Sequence, residues 1–270
     1  MQGSHWLRQA WRLYLRQPLG FSLLFLCYLL LASVIVGALL SLATVPLLSL
    51  AFMLATQDVL QGQRVRLGHL FAVVRQPPKQ RRTTLLLCLA FGLAVILIIE
   101  IGVRLGGSEL TEALKPLAGA SQGTDAKVLM SVFGHPAVSR LANTIWLLAA
   151  LLSVPFWHAL ALVQWGRQTA AQALFSSTLA LWRAKTAFLV YGLGWLGMVV
   201  LASLLAGIGV GLLTALLGSP TFAMAFGALV FVAISAAFYI SLWFMFNDSF
   251  VLADDAAAGD GTAPQLIPPA

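Results

Sequence analysis

Two short phrases place a carboxylate beside an amide at the end of a hydrophobic run. FMLATQDVL, residues 52–60, carries Gln57 and Asp58, and FMFNDSFVL, residues 244–252, carries Asn247 and Asp248. A third run holds His158 between Trp157 and Ala159 and reaches Gln164. Each charge in the middle of a bilayer costs about 2.5–3.5 kcal/mol on insertion scales, so such groups require an account. The functional account gathers Gln57, Asp58, His158, Gln164, Asn247 and Asp248 into a polar vestibule or proton site. The plainer account is a histidine satisfied by one partner and two acids at the membrane boundary. The plainer one is preferred, because no run carries more than one strongly buried polar group. Glu100 and Arg104, four apart in EIGVR, are placed for an ion pair within one helix; a substrate contact is the alternative.

The chain offers little other chemistry. HExxH, GxxxxGK[ST], GxSxG and CxxC are all absent. His5, His69, His135 and His158 are too scattered for a local metal site, and Cys27 and Cys88 read as small buried hydrophobes. GIGVG at 207–211 lies in an apolar helix, where Gly207 and Gly211 suit close helix packing better than a phosphate loop. The expectation is a protein with no cofactor, no metal and no enzymatic activity.

The elements that must position these residues are membrane spans. Of 270 residues 60% are hydrophobic and 9% charged, against roughly 25% charged in a soluble domain. A span needs about 20 apolar residues, and the text supplies six, at 19–40, 43–61, 84–105, 141–165, 186–209 and 222–248. The fold class is therefore all-α and polytopic. No discontinuous span of the kind that holds a substrate at mid-membrane is expected.

The basic residues set the orientation. Twelve of the 16 lysines and arginines fall before the first span or in the connections after the second and fourth; Arg104, Lys115, Lys127 and Arg140 fall on the other side. Positive connections stay in the cytoplasm, so both termini are expected there. The net charge of +7 reads as a topology signal and not as a nucleic-acid surface.

A repeat follows from two offsets. Shifted by 104 residues, the second span lies over the fourth, with Gly62, Leu70 and Phe71 meeting Gly166, Leu174 and Phe175. Shifted by 192, Phe52, Met53, Val59 and Leu60 meet Phe244, Met245, Val251 and Leu252. Each pair of spans also follows an amphipathic stretch. Residues 4–17 put Trp6, Leu7, Ala10, Trp11 and Tyr14 opposite Arg8, Arg12 and Arg16. Residues 65–76 point Leu67, Leu70, Phe71 and Val74 inward, and residues 169–183 do the same with Ala173, Leu174, Ser177, Ala180 and Leu181. Such helices suit the headgroup layer. Expected headgroup contacts are Trp6, Trp11, Arg8, Arg12, Arg16, Arg81, Arg82, Arg183 and Lys185.

The reading is one transmembrane domain over 1–252, built of three parallel hairpin repeats at about 4–61, 65–165 and 169–252. The outer loop is 106–140, with SELTEALKPL a short helix begun by Ser108 and 128–133 dipping back to the membrane. The acidic tail 253–270 is expected to be disordered.

VPLLSLAFMLATQDVLQGQRVRLGHLF and FWHALALVQWGRQTAAQALFSSTLALWRAKTAFLVYGLGW resemble an uncharacterised family of bacterial six-span integral inner-membrane proteins of unknown function. The resemblance covers Trp6 to about Leu252 except the outer loop, and implies an inner-membrane location and no assigned site. The function expected is a structural, accessory, lipid-binding or partner-binding role. The partners expected are anionic lipid headgroups and an unidentified membrane protein. The alternative is a transporter or channel component moving a small solute or ion between the hairpins.

Overall fold

The computed structural model describes residues 2–34, 38–118, 131–132, 134–217 and 220–250, which are helical nearly throughout. The helices are α1 (Gln2–Arg16), α2 (Pro18–Val34), α3 (Ala38–Ala43), α4 (Val45–Leu60), α5 (Ala72–Arg75), α6 (Pro78–Ala118), α7 (Pro136–Phe156), α8 (Ala159–Gln164), α9 (Ala170–Arg183), α10 (Lys185–Leu217) and α11 (Pro220–Ser249). A 3-10 turn, Leu67–Phe71, precedes α5. Prolines start many of them: Pro18, Pro46, Pro78, Pro136 and Pro220 stand in the first two positions of α2, α4, α6, α7 and α11, where the missing N–H costs no hydrogen bond. Thr169 starts α9 in a capping box with Gln172.

Ser41–Leu60, Pro78–Pro116, Pro136–Gln164, Lys185–Leu216 and Ala225–Ser249 are each long and apolar enough to cross a bilayer; the bent pair of α1 and α2, meeting at 97°, is a sixth candidate. The outward side chains fit that solvent. Leu193, Leu196, Leu201, Leu204, Ile208 and Leu212 of α10 are all more than half exposed, an arrangement that water would penalise and lipid does not.

The amphipathic stretch at the amino terminus packs inward on protein. Trp6 and Ala10 of α1 are 1% and 0% exposed, and the helix lies against α10 and α11. Gly3 makes the crossing possible: a Cβ there would meet the carbonyl of Ala187 and stand 2.8 Å from the Tyr191 nitrogen. Trp6, expected at the headgroups, is thus a core residue. The Trp11 indole N–H donates to Met198 Sδ at 2.8 Å, with the ring half-buried. Arg8, Arg12 and Arg16 all face outward. Gln17 fixes the sharp turn into α2, its amide donating to the Gln63 carbonyl at 2.9 Å and accepting from the Val65 N–H at 3.0 Å.

The other two leading segments differ from α1. Residues 67–75 form the 3-10 turn and the one-turn α5, not a continuous helix, and Leu67, Phe71 and Val74 are 46%, 52% and 63% exposed instead of turned inward. In α9, Ala173 and Ser177 are buried and Leu174, Ala180 and Leu181 half-buried, while Phe175 and Trp182 point outward. The glycines matched at the span ends also part company. Gly62 has φ +80°, but after α8 the left-handed residue is Arg167 at φ +49°, one position beyond Gly166.

The fourth span, Pro136–Gln164, runs as one span, but its hydrogen-bond ladder lapses at Trp157–His158, which keep right-handed dihedrals. Pro155 lies inside the last turn of α7, the regular ladder stops at Phe156, and α8 resumes it at Ala159. The short α8 then runs through the buried interior of the bundle, with Ala159, Leu160, Ala161, Leu162 and Val163 each no more than 1% exposed. The third span bends at Gly107, φ +53° and ψ −145°, and continues as a helix to Ala118. That places a helix over the SELTEALKPL stretch. Gly209, not Gly207 or Gly211, is the packed glycine of GIGVG: a Cβ on it would lie 2.6 Å from the Phe226 ring, whereas the other two face open space. The 128–133 stretch falls largely outside the described residues, and the 253–270 tail wholly so.

Candidate functional site

The six polar residues picked out at the helix ends are shared out among separate neighbours. Asp58, near the end of α4, has Oδ2 3.3 Å from His69 Nε2 on the 3-10 turn. The pair is at ion-pair distance without hydrogen-bond alignment, since His69 Nε2 is buried and lacks a hydrogen-bond partner. Gln164, at the end of α8, accepts from Gln76 Nε2 at 2.6 Å, and Gln80 Nε2 reaches the carbonyls of Val163 and Gln164 at 2.7 and 2.8 Å. Asp248, near the end of α11, accepts from Trp6 Nε1 at 2.6 Å. Gln57 is half-buried and Asn247 exposed.

His158 stands apart in kind. It occupies the lapse between α7 and α8, is 0% exposed, and is ringed by Phe188, Phe246 and Phe250 with centroids 5.6–6.2 Å away. Neither ring nitrogen has a hydrogen-bond partner among the described residues, so the single partner expected for it is missing. Its backbone is provided for: the His158 N–H donates to Ser177 Oγ at 3.3 Å, and that hydroxyl is 3.5 Å from the Val154 carbonyl. Ser177 of α9 thereby bridges the His158 N–H and the Val154 carbonyl, which would otherwise bond each other in a continuous helix. Replacing Ser177 with alanine strands a buried amide, and a loss of about 1–3 kcal/mol is expected. A lower midpoint in thermal unfolding in detergent, with no shift for an outward control such as Thr178→Ala, checks it.

His69 lies outside the spans, and its pKa is lowered. Burial is the main cause, Arg66 and Arg75 add to it, and the Asp58 carboxylate opposes it. The unfolded chain therefore takes a proton near pH 6.5 that the folded segment resists. Stability from this group is present above about pH 6.5 and is lost as pH falls towards the lower folded value. Amides 67–75 should exchange faster at pH 5.5 than at 7.5 after correction for intrinsic rates, and His69→Gln should flatten the difference.

On the outer side, Glu100 and Arg104 make the expected pair at 2.7 Å, both well exposed. Arg140 pairs with Glu109 across the bend at Gly107, beside a cavity of about 400 Å³ lined by Gly102, Ser108, Arg140 and Thr144. Arg81, Arg82, Arg183 and Lys185 are exposed, and the Lys185 ammonium lies 5.7 Å from the Trp182 ring centre. Among the described residues, no cluster of three or more His, Cys, Asp or Glu could hold a metal.

The chain is similar to a probable inner membrane protein of Burkholderia thailandensis, 28% identical over 261 residues, covering 94% of this chain and 93% of the relative. No family profile matches it, and no solved structure does. The near full-length similarity agrees with the run of long apolar helices. It is a multi-span membrane protein.

Sequence reasoning missed the partners of these polar residues. Gln76 and Gln80 sit in RQPPKQ, where uncharged amides amid cations were the available signal. Trp6 was read for its helix face alone, and nothing in the text ties it to a residue 242 positions away.

Proposed function

We propose that this membrane protein resides in the bacterial inner membrane with both termini in the cytoplasm and acts without catalysis, as a structural or accessory component that binds lipid or a partner membrane protein. The observation that supports it most is the use made of the polar helix ends. Asp58, Gln164 and Asp248 each meet a group from a different neighbouring segment, and none of the described cavities is lined by Asp58, His158 and Asp248 together. The outward Arg8, Arg12, Arg16, Arg81, Arg82 and Arg183 suit anionic headgroups, each worth about 1 kcal/mol near a charged leaflet. The bias of basic residues supports the orientation, and the two offset matches support three parallel hairpin units. Reconstituted into liposomes, the protein should pass no ion or solute faster than protein-free vesicles. Flux that disappears in Asp58→Asn or Asp248→Asn variants would overturn this.

One observation favours the second reading, transport of a small solute or ion. The fourth span holds an unpartnered imidazole where its hydrogen-bond ladder lapses, and a buried polar group within a span is the type of feature on which translocation sites are built.

A further inference from the structure

Every carboxylate among the described residues already has a partner. Asp58 faces His69, Glu100 pairs with Arg104, Glu109 with Arg140 and Glu112 with Lys115, and Asp248 accepts from the Trp6 indole. The cations of α1 have none. Arg8, Arg12 and Arg16 are exposed and make no ion pair among the described residues. Set four apart, they form one outward stripe, each about 6 Å along the helix axis from the next. Like charges at that spacing destabilise a helix, and an anionic cover removes the cost.

The sequence holds an acidic segment with no cation of its own. Residues 251–270 carry Asp254, Asp255 and Asp260 and no lysine or arginine. They lie outside the described residues, but the point from which they leave the fold is fixed. Phe250 is 7% exposed, and its N–H still donates to the Phe246 carbonyl at 3.0 Å. The 2.6 Å bond from Trp6 to Asp248 sets that point beside the first turns of α1, on the same side of the membrane.

Reach is ample. Arg8, Arg12 and Arg16 lie about 3, 9 and 15 Å beyond Trp6 along the axis. Asp254 and Asp255 follow Asp248 by six and seven residues, a covalent reach of about 20 Å, and Asp260 extends to about 40 Å. The tether also holds the three carboxylates near α1 at an effective concentration of about a millimolar.

We propose that residues 254–260 dock on the arginine stripe of α1 in the same chain and compete there with anionic lipid headgroups. The competition rests on the lipid-binding role proposed above; the docking rests on charge and reach alone. The segment then sets how much of the stripe the leaflet can use. Dense anionic lipid displaces the aspartates, and neutral lipid leaves them in place.

The test uses the full chain with Leu15→Cys on α1, where Leu15 is 69% exposed, and Ala257→Cys between the aspartates. After mild oxidation, peptide mass mapping separates a disulfide between these two positions from any that involves Cys27 or Cys88. In detergent at low salt the disulfide should form within one chain. Asp254→Asn, Asp255→Asn and Asp260→Asn together should slow it about threefold, the scale of exposed ion pairs. Arg8→Gln, Arg12→Gln and Arg16→Gln together should do the same, and lysine at those three positions should restore the rate. High salt should act as the aspartate set does. Unfolding midpoints identify an arginine set that has lost its fold, and the aspartate set then carries the comparison. In nanodiscs, phosphatidylglycerol should slow the reaction relative to phosphatidylcholine.

A rate indifferent to all these charges would overturn the docking and leave the lipid-binding role intact. A rate that follows the aspartates but not the arginines would overturn α1 as the surface. A disulfide formed only between two chains would overturn the assignment to the same chain. A charge-dependent rate equal in both lipids would overturn the competition and remove α1 from the lipid-binding role.

Discussion

Replacing Trp6 with alanine should detach the amino-terminal helix from the bundle. The indole is 1% exposed, packs edge-on against Phe188 and Tyr191 with centroids 5.6 and 5.8 Å away, and donates to Asp248. Removing a large aromatic from such a setting typically costs about 3–5 kcal/mol, a large share of the ~5–15 kcal/mol that holds a typical domain together. Limited trypsin digestion provides the readout, because Arg8, Arg12 and Arg16 become cleavable once α1 swings free. Trp6→Phe should lie between wild type and Trp6→Ala, keeping the ring contacts but losing the bond to Asp248. Asp248→Asn should have the mildest effect, since Asp248 is exposed and water can replace the indole. Equal cleavage in Trp6→Ala and wild type would show that α1 is held by something other than this contact.

How the sequence foretold the fold depended on the distance over which each feature is decided. Five of the six expected spans and the Glu100–Arg104 pair are set by neighbours within a few residues, and the structure has them where composition and spacing put them; the first, 19–40, counts only as part of the bent α1–α2 pair, and the third helix runs on past Gly106-Gly107 to Ala118. The lapse in the ladder of the fourth span lies close to a proline that the text displays. Pro155 stands two residues before Trp157 in the text, but in an apolar run of this length a continuous helix and a helix with one stop have the same composition. The amphipathicity of residues 4–17 was plain, whereas its meaning was not. A Trp-and-Leu face satisfies a lipid headgroup layer and a protein groove equally well, and Gly3 was the only local sign of a close helix crossing. At the site, the sequence revealed which residues were polar but not which were paired. Asp58 and Asp248 sit in nearly the same phrase, yet one faces a histidine eleven residues on and the other an indole from the far end of the chain.

The test with the greatest power to separate the two functional readings is His158→Leu. An imidazole with both nitrogens buried and unpartnered forgoes hydrogen bonds that it makes in water, a cost of about 1–3 kcal/mol per group. Leucine fills a similar volume among Phe188, Phe246 and Phe250 without that cost, and the φ of −110° at this position suits any L side chain. The variant should therefore unfold at a higher temperature than wild type, which is an unusual result for a substitution at a fully buried position. If the imidazole is only a core residue, lipid binding and membrane assembly remain unchanged as the midpoint rises. If the fourth span carries a proton or solute, the same variant gains stability and loses flux, since a site that must bind and release its cargo is kept at the expense of stability. His158→Gln completes the comparison. It retains polarity in the same cage, so it should not gain the stability, and a flux partly restored in it would mark the lapse at Trp157–His158 as a working element of the membrane path.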